Sequence, residues 1–121
     1  MKNSKKNNKL KGDYGEKLAM EYLNDNDYII IERNFRNRIG EIDIIAQKGD
    51  IIAFIEVKSR KNSKYGYGYE AVNKRKQDKI IKLANSYINF KNLRSFQFRF
   101  DIIEVYFEDC RINHIENAFW V

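Results

Sequence analysis

GEIDIIAQKGDIIAFIEVKSR, Gly40 to Arg60, is the stretch that decides how this chain folds. Residues 40–46 (GEIDIIA) and 51–59 (IIAFIEVKS) are dense in isoleucine and read as strands. Lys48-Gly49-Asp50 supplies turn chemistry between them, and so short a connection predicts an antiparallel hairpin. Strict alternation would put Ile42, Ile44 and Ala46 on one face of the first strand, with Ile45 beside Asp43 on the other. On the second strand Ile55 and Val57 would lie opposite Glu56. Strands apolar on both faces are central and covered on both sides. Beyond Glu41 at the start of the first, three charged side chains nevertheless interrupt them: Asp43, Glu56 and Lys58.

Residues two apart on a strand share a face, so Glu56 and Lys58 project together from Cα atoms about 6.6 Å apart. Counting outward from the Gly49 turn, Asp43 falls opposite Ile55 or Glu56, which lets the two carboxylates converge. Two carboxylates at about 4 Å repel by roughly 4 kcal/mol at an effective dielectric near 20. A hard divalent cation, Mg²⁺ or Mn²⁺, offsets that repulsion and activates water at a phosphodiester. Lys58 would orient that water or neutralise charge developing on the phosphate. The bland alternative is an exposed Glu–Lys pair on a solvated sheet face. The apolar surroundings disfavour it, because a buried acid is costly unless paired or metal-bound.

Working outward, residues 13–25 read as a helix, with Asp13 as cap and Glu16 completing a capping box ahead of Ala19, Met20 and Leu23. Residues 28–36 are a strand, 61–70 a polar, glycine-interrupted loop, 72–90 a helix loaded with Lys and Arg at its start, and 96–107 a strand. A shorter strand is expected near 111–118. The order α, β, β, β, α, β, β predicts an α/β domain with a mixed central sheet and flanking helices. Residues 1–11, MKNSKKNNKLK, read as a disordered basic arm, leaving 12–121 as a single domain.

The chain's 121 residues suit one core, and 43% are hydrophobic. Its single cysteine, Cys110, and single histidine, His114, exclude an intrachain disulfide, a Cys/His zinc cluster and a multi-histidine site. No apolar run approaches the roughly 20 residues that span a bilayer, and no secretory signal is apparent. The expected location is cytoplasmic, with no membrane partner. The net charge of +6 is unevenly spread: +5 over residues 1–12, −5 over 13–57, +7 over 58–82 and −1 over 83–121. Basic blocks of this kind suit a phosphate backbone, and they equally suit a solvated surface.

Gly40–Ala46 followed by FIEVKSR (Phe54–Arg60) resembles the PD-(D/E)XK restriction-endonuclease-like nuclease superfamily. Adding GDYGE (Gly12–Glu16), YGYGYEAVNKRKQDKI (Tyr65–Ile80), RFDIIEV (Arg99–Val105) and NAFW (Asn117–Trp120), the chain closely resembles the YraN family of small bacterial proteins over about residues 12–120. The resemblance implies an α-β-β-β-α-β core. Asp43 and Glu56 would match the metal-binding acids, Lys58 the catalytic lysine, and Glu16 the helix acid of resolvase-like branches. Ile42 stands where the superfamily's nominal proline would be.

The function expected is a Mg²⁺- or Mn²⁺-dependent endonuclease acting on DNA, with branched or structured DNA as a candidate substrate and a homodimer as a candidate assembly. The alternative is a non-catalytic module that binds nucleic acid or recruits a partner. Arg60, Lys64, Lys76 and Lys79 are the expected contacts to nucleic acid. Gln77 reads as helix surface that could reach the site. Tyr65, Tyr67 and Tyr69 could stack on bases or pin their loop. Arg99 and Asp101 share a strand face and are expected to pair, Cys110 and His114 read as structural or incidental, and Phe119 and Trp120 as packed or self-associating.

Overall fold

The computed structural model describes residues 4–61, 72–109 and 111–119. Helix α1 spans Ser4–Asp25, strand β1 Ile29–Arg36, β2 Glu41–Lys48 and β3 Ile51–Arg60. Helix α2 spans Lys74–Lys91, strand β4 Gln97–Tyr106 and β5 Arg111–Ile115. The expected order of elements is therefore found. The strands form one mixed sheet in the order β1-β2-β3-β4-β5. β1–β2, β2–β3 and β4–β5 are antiparallel, and β3–β4 is parallel.

Each connection has a local cause. Lys48 pairs with Ile51, so Gly49 and Asp50 alone make the β2–β3 turn, and Gly49 takes φ 59 there without a Cβ to clash. Parallel pairing of β3 with β4 needs a crossover, which α2 provides. The Asn73 side chain caps α2 by accepting the Lys76 N–H at 2.9 Å, and Asn92 ends it in the left-handed region at φ 55. Ile80, Leu83, Ala84, Tyr87 and Ile88 bury the inner face of α2 against Ile52, Phe54, Phe100 and Ile102. Ala19 and Leu23 of α1 cover the opposite face, over Ile44, Ala46, Ala53, Ile55 and Ile103. β3 is thus apolar on both faces, as a covered central strand requires.

Two expectations are corrected. Helix α1 begins at Ser4, not near Asp13, so Asp13 lies inside the helix and cannot cap it. No proline interrupts the Lys/Asn-rich lead-in, and the docked turns at Ala19 and Leu23 extend toward it. Strict alternation also fails in β2. Ile42 and Ile45 pack beneath α2, while Ile44 and Ala46 pack beneath α1, so the strand changes phase around Asp43.

Arg99 and Asp101 do pair, at 2.9 Å, inside a larger network. The fully buried Asp101 carboxylate also bonds His114 Nε2 at 2.7 Å and accepts the Asn117 N–H at 3.1 Å. His114 Nδ1 lies 2.9 Å from the Tyr22 hydroxyl, tying β5 to α1. Burial alone would raise the Asp101 pKa, but these bonds outweigh it and hold the carboxyl below its usual value. Of the two readings of His114, structural or incidental, these bonds favour the structural one. Phe119 is packed, stacked on Phe100 at 5.3 Å. Cys110 and Trp120 lie outside the described residues.

Candidate functional site

The site forms where the β2–β3 ladder stops. Ile44 and Ile55 are the last paired residues, and Asp43 and Glu56 come next. Beyond that point Asp43 Oδ2 accepts the Val57 N–H at 2.8 Å, so a side chain takes the place of a ladder carbonyl. The neighbouring strand is kinked at the same level. Phe35 pairs with Ile42 and Arg33 with Ile44, which leaves Asn34 across from Asp43, and Asn34 adopts φ 54. Asparagine tolerates that left-handed conformation better than most side chains. The phase change in β2 and the kink in β1 together turn Asp43 out of the sheet's ordinary pattern.

Asp43 is half-buried and Glu56 is 8% exposed. Burial, then the Glu56 carboxylate, push the Asp43 carboxyl up to about 8. Two ammonium groups attend Glu56: Lys76 Nζ at 3.0 Å and Lys58 Nζ at 4.0 Å from the same Oε1. Burial pushes the Lys58 pKa down, and the adjacent Lys76 adds to that effect. Burial works against the charge on Lys76 too, but the closer Glu56 carboxylate outweighs it and its pKa is raised. The two ammonium groups are thereby shifted in opposite directions, Lys58 down and Lys76 up.

Glu16 reaches the same cleft from α1. Burial raises its carboxyl pKa, and its Oε1 is buried without a hydrogen-bond partner. The cleft is about 960 Å³ and is lined by Glu16, Asp43, Glu56, Lys58, Arg60 and Tyr14, among others. A second cleft of about 380 Å³ lies on the α2 side, bordered by Arg75, Lys76 and Lys79, and the same two acids line it as well. Asp43 and Glu56 therefore form a partition between two clefts with cationic walls.

Of the residues singled out in the sequence, Asp43, Glu56, Lys58, Glu16 and Arg60 share one cleft. Lys76 and Lys79 border the other, Lys76 as a direct partner of Glu56. Gln77 spends its side chain on the Val72 carbonyl at 2.9 Å, which fastens the start of α2. Lys64, Tyr65, Tyr67 and Tyr69 lie outside the described residues. Three features escaped the sequence reading. Asn34 gave no signal, since a left-handed residue inside a strand has no pattern. Glu104 is fully buried, in register with Lys58 on one side and Asn113 on the other, and accepts from Asn113 Nδ2 at 2.8 Å. An acid inside the apolar run FDIIEVYF was its signal. The third is a stack of Tyr14 on Phe107, residues distant in sequence.

The donor set can be tested against a divalent cation. Among the described residues no three His, Cys, Asp or Glu side chains converge as a complete cage. The Asp43 and Glu56 carboxylates lie together, and Glu16, whose buried Oε1 has no hydrogen-bond partner, shares their cleft. Mg²⁺ commonly takes one or two carboxylates and completes its shell with water and substrate phosphate. The residues present fit that requirement.

The uncharacterised protein family UPF0102 matches residues 15–105 of the chain, a span that holds every one of the acids and lysines just described. A UPF0102 protein of Clostridioides difficile is 55% identical over 113 residues, covering 93% of this chain and 99% of the relative. One from Clostridium beijerinckii is 51% identical over 119 residues, covering 95% and 97%. Another, from Caldanaerobacter subterraneus subsp. tengcongensis, is 47% identical over 120 residues, covering 95% and 98%.

Proposed function

We propose that this chain, which belongs to the uncharacterised protein family UPF0102, is a metal-dependent phosphodiester hydrolase of the restriction-endonuclease-like class, acting on DNA. The observation that carries this reading is the convergence of Asp43 and Glu56 at the end of a broken ladder, with Lys58 alongside. A binding module has no need of paired acids where phosphate must approach. Here the acids sit at the meeting point of two clefts whose outer walls carry Arg60, Lys61, Arg75 and Lys79.

A divalent cation held by Asp43 and Glu56, with Glu16 near by, would supply Lewis acidity at the phosphodiester and lower the pKa of a water. The chain's own residues do the rest. The Val57 N–H holds Asp43 in place. Without metal Lys76 pairs with Glu56, and once a cation takes that carboxylate Lys76 would keep a positive charge beside the cleft. Lys58, its pKa lowered by burial, is poised to orient the attacking water, exchange a proton with it and stabilise negative charge on the phosphate. Basic side chains in both clefts would attract the substrate's phosphates from either side of the acids.

Asp43→Ala and Lys58→Ala should each lower Mg²⁺- or Mn²⁺-dependent cleavage of branched and single-stranded DNA by about 100-fold or more, with circular dichroism unchanged. Cleavage that survives either substitution at the wild-type rate sinks the assignment.

A further inference from the structure

We propose that Tyr14, stacked on Phe107, is a platform for one unpaired nucleobase beside the bond that is cut. This rests on the phosphodiester reading and narrows it, because it names the substrate feature the cleft selects. The two rings lie 5.6 Å apart and 19° from parallel. Both line the cleft that also contains Asp43, Glu56 and Lys58. Tyr14 is 54% exposed, so much of the ring stays open to a further stacking partner. Of the two large aromatics exposed among the described residues, Tyr14 and Phe90, only Tyr14 borders this cleft.

The platform is held from both sides. A Cβ on Gly15 would lie 2.0 Å from Ser59 Oγ, so the α1 backbone presses directly on the end of β3 and sets where the neighbouring Tyr14 stands. On the other side the Phe107 N–H donates to the Arg60 carbonyl at 3.0 Å, and the Glu108 N–H to the Lys61 carbonyl at 2.8 Å. Phe107 is thereby indexed to the strand that carries Glu56, Lys58 and Arg60. Arg60 and Lys61 line the same cleft, Lys61 within 3.6 Å of Glu108 at its rim.

A ring with an open face beside cationic side chains is the arrangement that holds single-stranded nucleic acid, since every base has a face to stack. A base inside an intact duplex has both faces covered by its neighbours. The ligand class is therefore an unpaired nucleobase, as found in single strands, flaps and branch points. The plainer role for the pair, anchoring α1, needs only apolar bulk at position 14 and no ring.

The test is binding in EDTA, with a single-stranded oligodeoxynucleotide carrying one fluorescent adenine analogue and a blunt duplex of the same sequence. The wild type and Tyr14→Phe should quench the fluorescence and bind the single strand equally. Tyr14→Leu, which keeps bulk on Phe107, should lose the quenching and bind about 5- to 150-fold more weakly. All three should bind the duplex alike. Unaltered quenching and affinity in Tyr14→Leu, or an equal loss for strand and duplex, overturns the proposal. No cleavage is read, so failure here is distinct from failure of the catalytic assignment, which the Asp43 and Lys58 variants test separately.

Discussion

Asp43 concentrates the account at the scale of single residues. Its carboxyl is held at about 8 by burial and by Glu56, well above the 3.8 it would have in the unfolded chain. The folded protein therefore binds the extra proton between those values, and the sign of the linkage follows. Asp43 contributes most to stability below about pH 3.8, and that contribution is lost as pH rises through about 8. Asp43→Asn keeps an acceptor for the Val57 N–H and removes the titration. In metal-free buffer its melting temperature should gain on the wild type steadily from pH 4 to pH 8, by several degrees at the upper end. A constant difference across that range would mean Asp43 is not held protonated by its surroundings. The sequence made the carboxylate pair legible, because an acid in an otherwise apolar central strand demands a partner. It did not make Lys76 legible as that partner, since its approach to Glu56 depends on how α2 crosses the sheet.

Elements were legible to the extent that their periodicity is local. The β2–β3 hairpin, the parallel crossover through α2 and the order of all seven elements follow from apolar spacing and turn chemistry. The phase change at Asp43 does not, because it depends on the kink at Asn34 in another strand. Nor does the start of α1, which extends back from the turns docked at Ala19 and Leu23, past the capping signal at Asp13. α1 meets β3 closely at Gly15, which packs against Ser59. Gly15→Ala should force Ser59 aside and destabilise the protein by about 1–3 kcal/mol. Adding Ser59→Ala removes the 2.0 Å conflict and leaves only a 3.3 Å approach to the Cβ, so the double variant should recover most of the loss in urea melts. Additive losses in the double variant would show that α1 does not rest on Ser59.

For the whole molecule, the fold gathers what the chain keeps apart. The acidic stretch 13–57 supplies Glu16, Asp43 and Glu56, and the basic stretch 58–82 supplies Lys58, Arg60, Lys76 and Lys79. The parallel β3–β4 pairing and the α2 crossover bring both stretches to one end of the sheet, with the acids at the partition and the cations on the walls. Net charge alone could suggest nucleic acid; the acids set between cationic walls are what favour the proposed hydrolase over a basic binding surface. The Asp101 network ties α1, β4 and β5 together in the register of the residues that flank Glu56. The central claim is that a divalent cation sits between Asp43 and Glu56. Anomalous difference maps from crystals soaked in Mn²⁺ test it most directly. One strong peak should bridge the two carboxylates, with the Lys76 ammonium drawn away from Glu56. A map with no peak there, and Lys76 still bonded to Glu56 at saturating Mn²⁺, would contradict it.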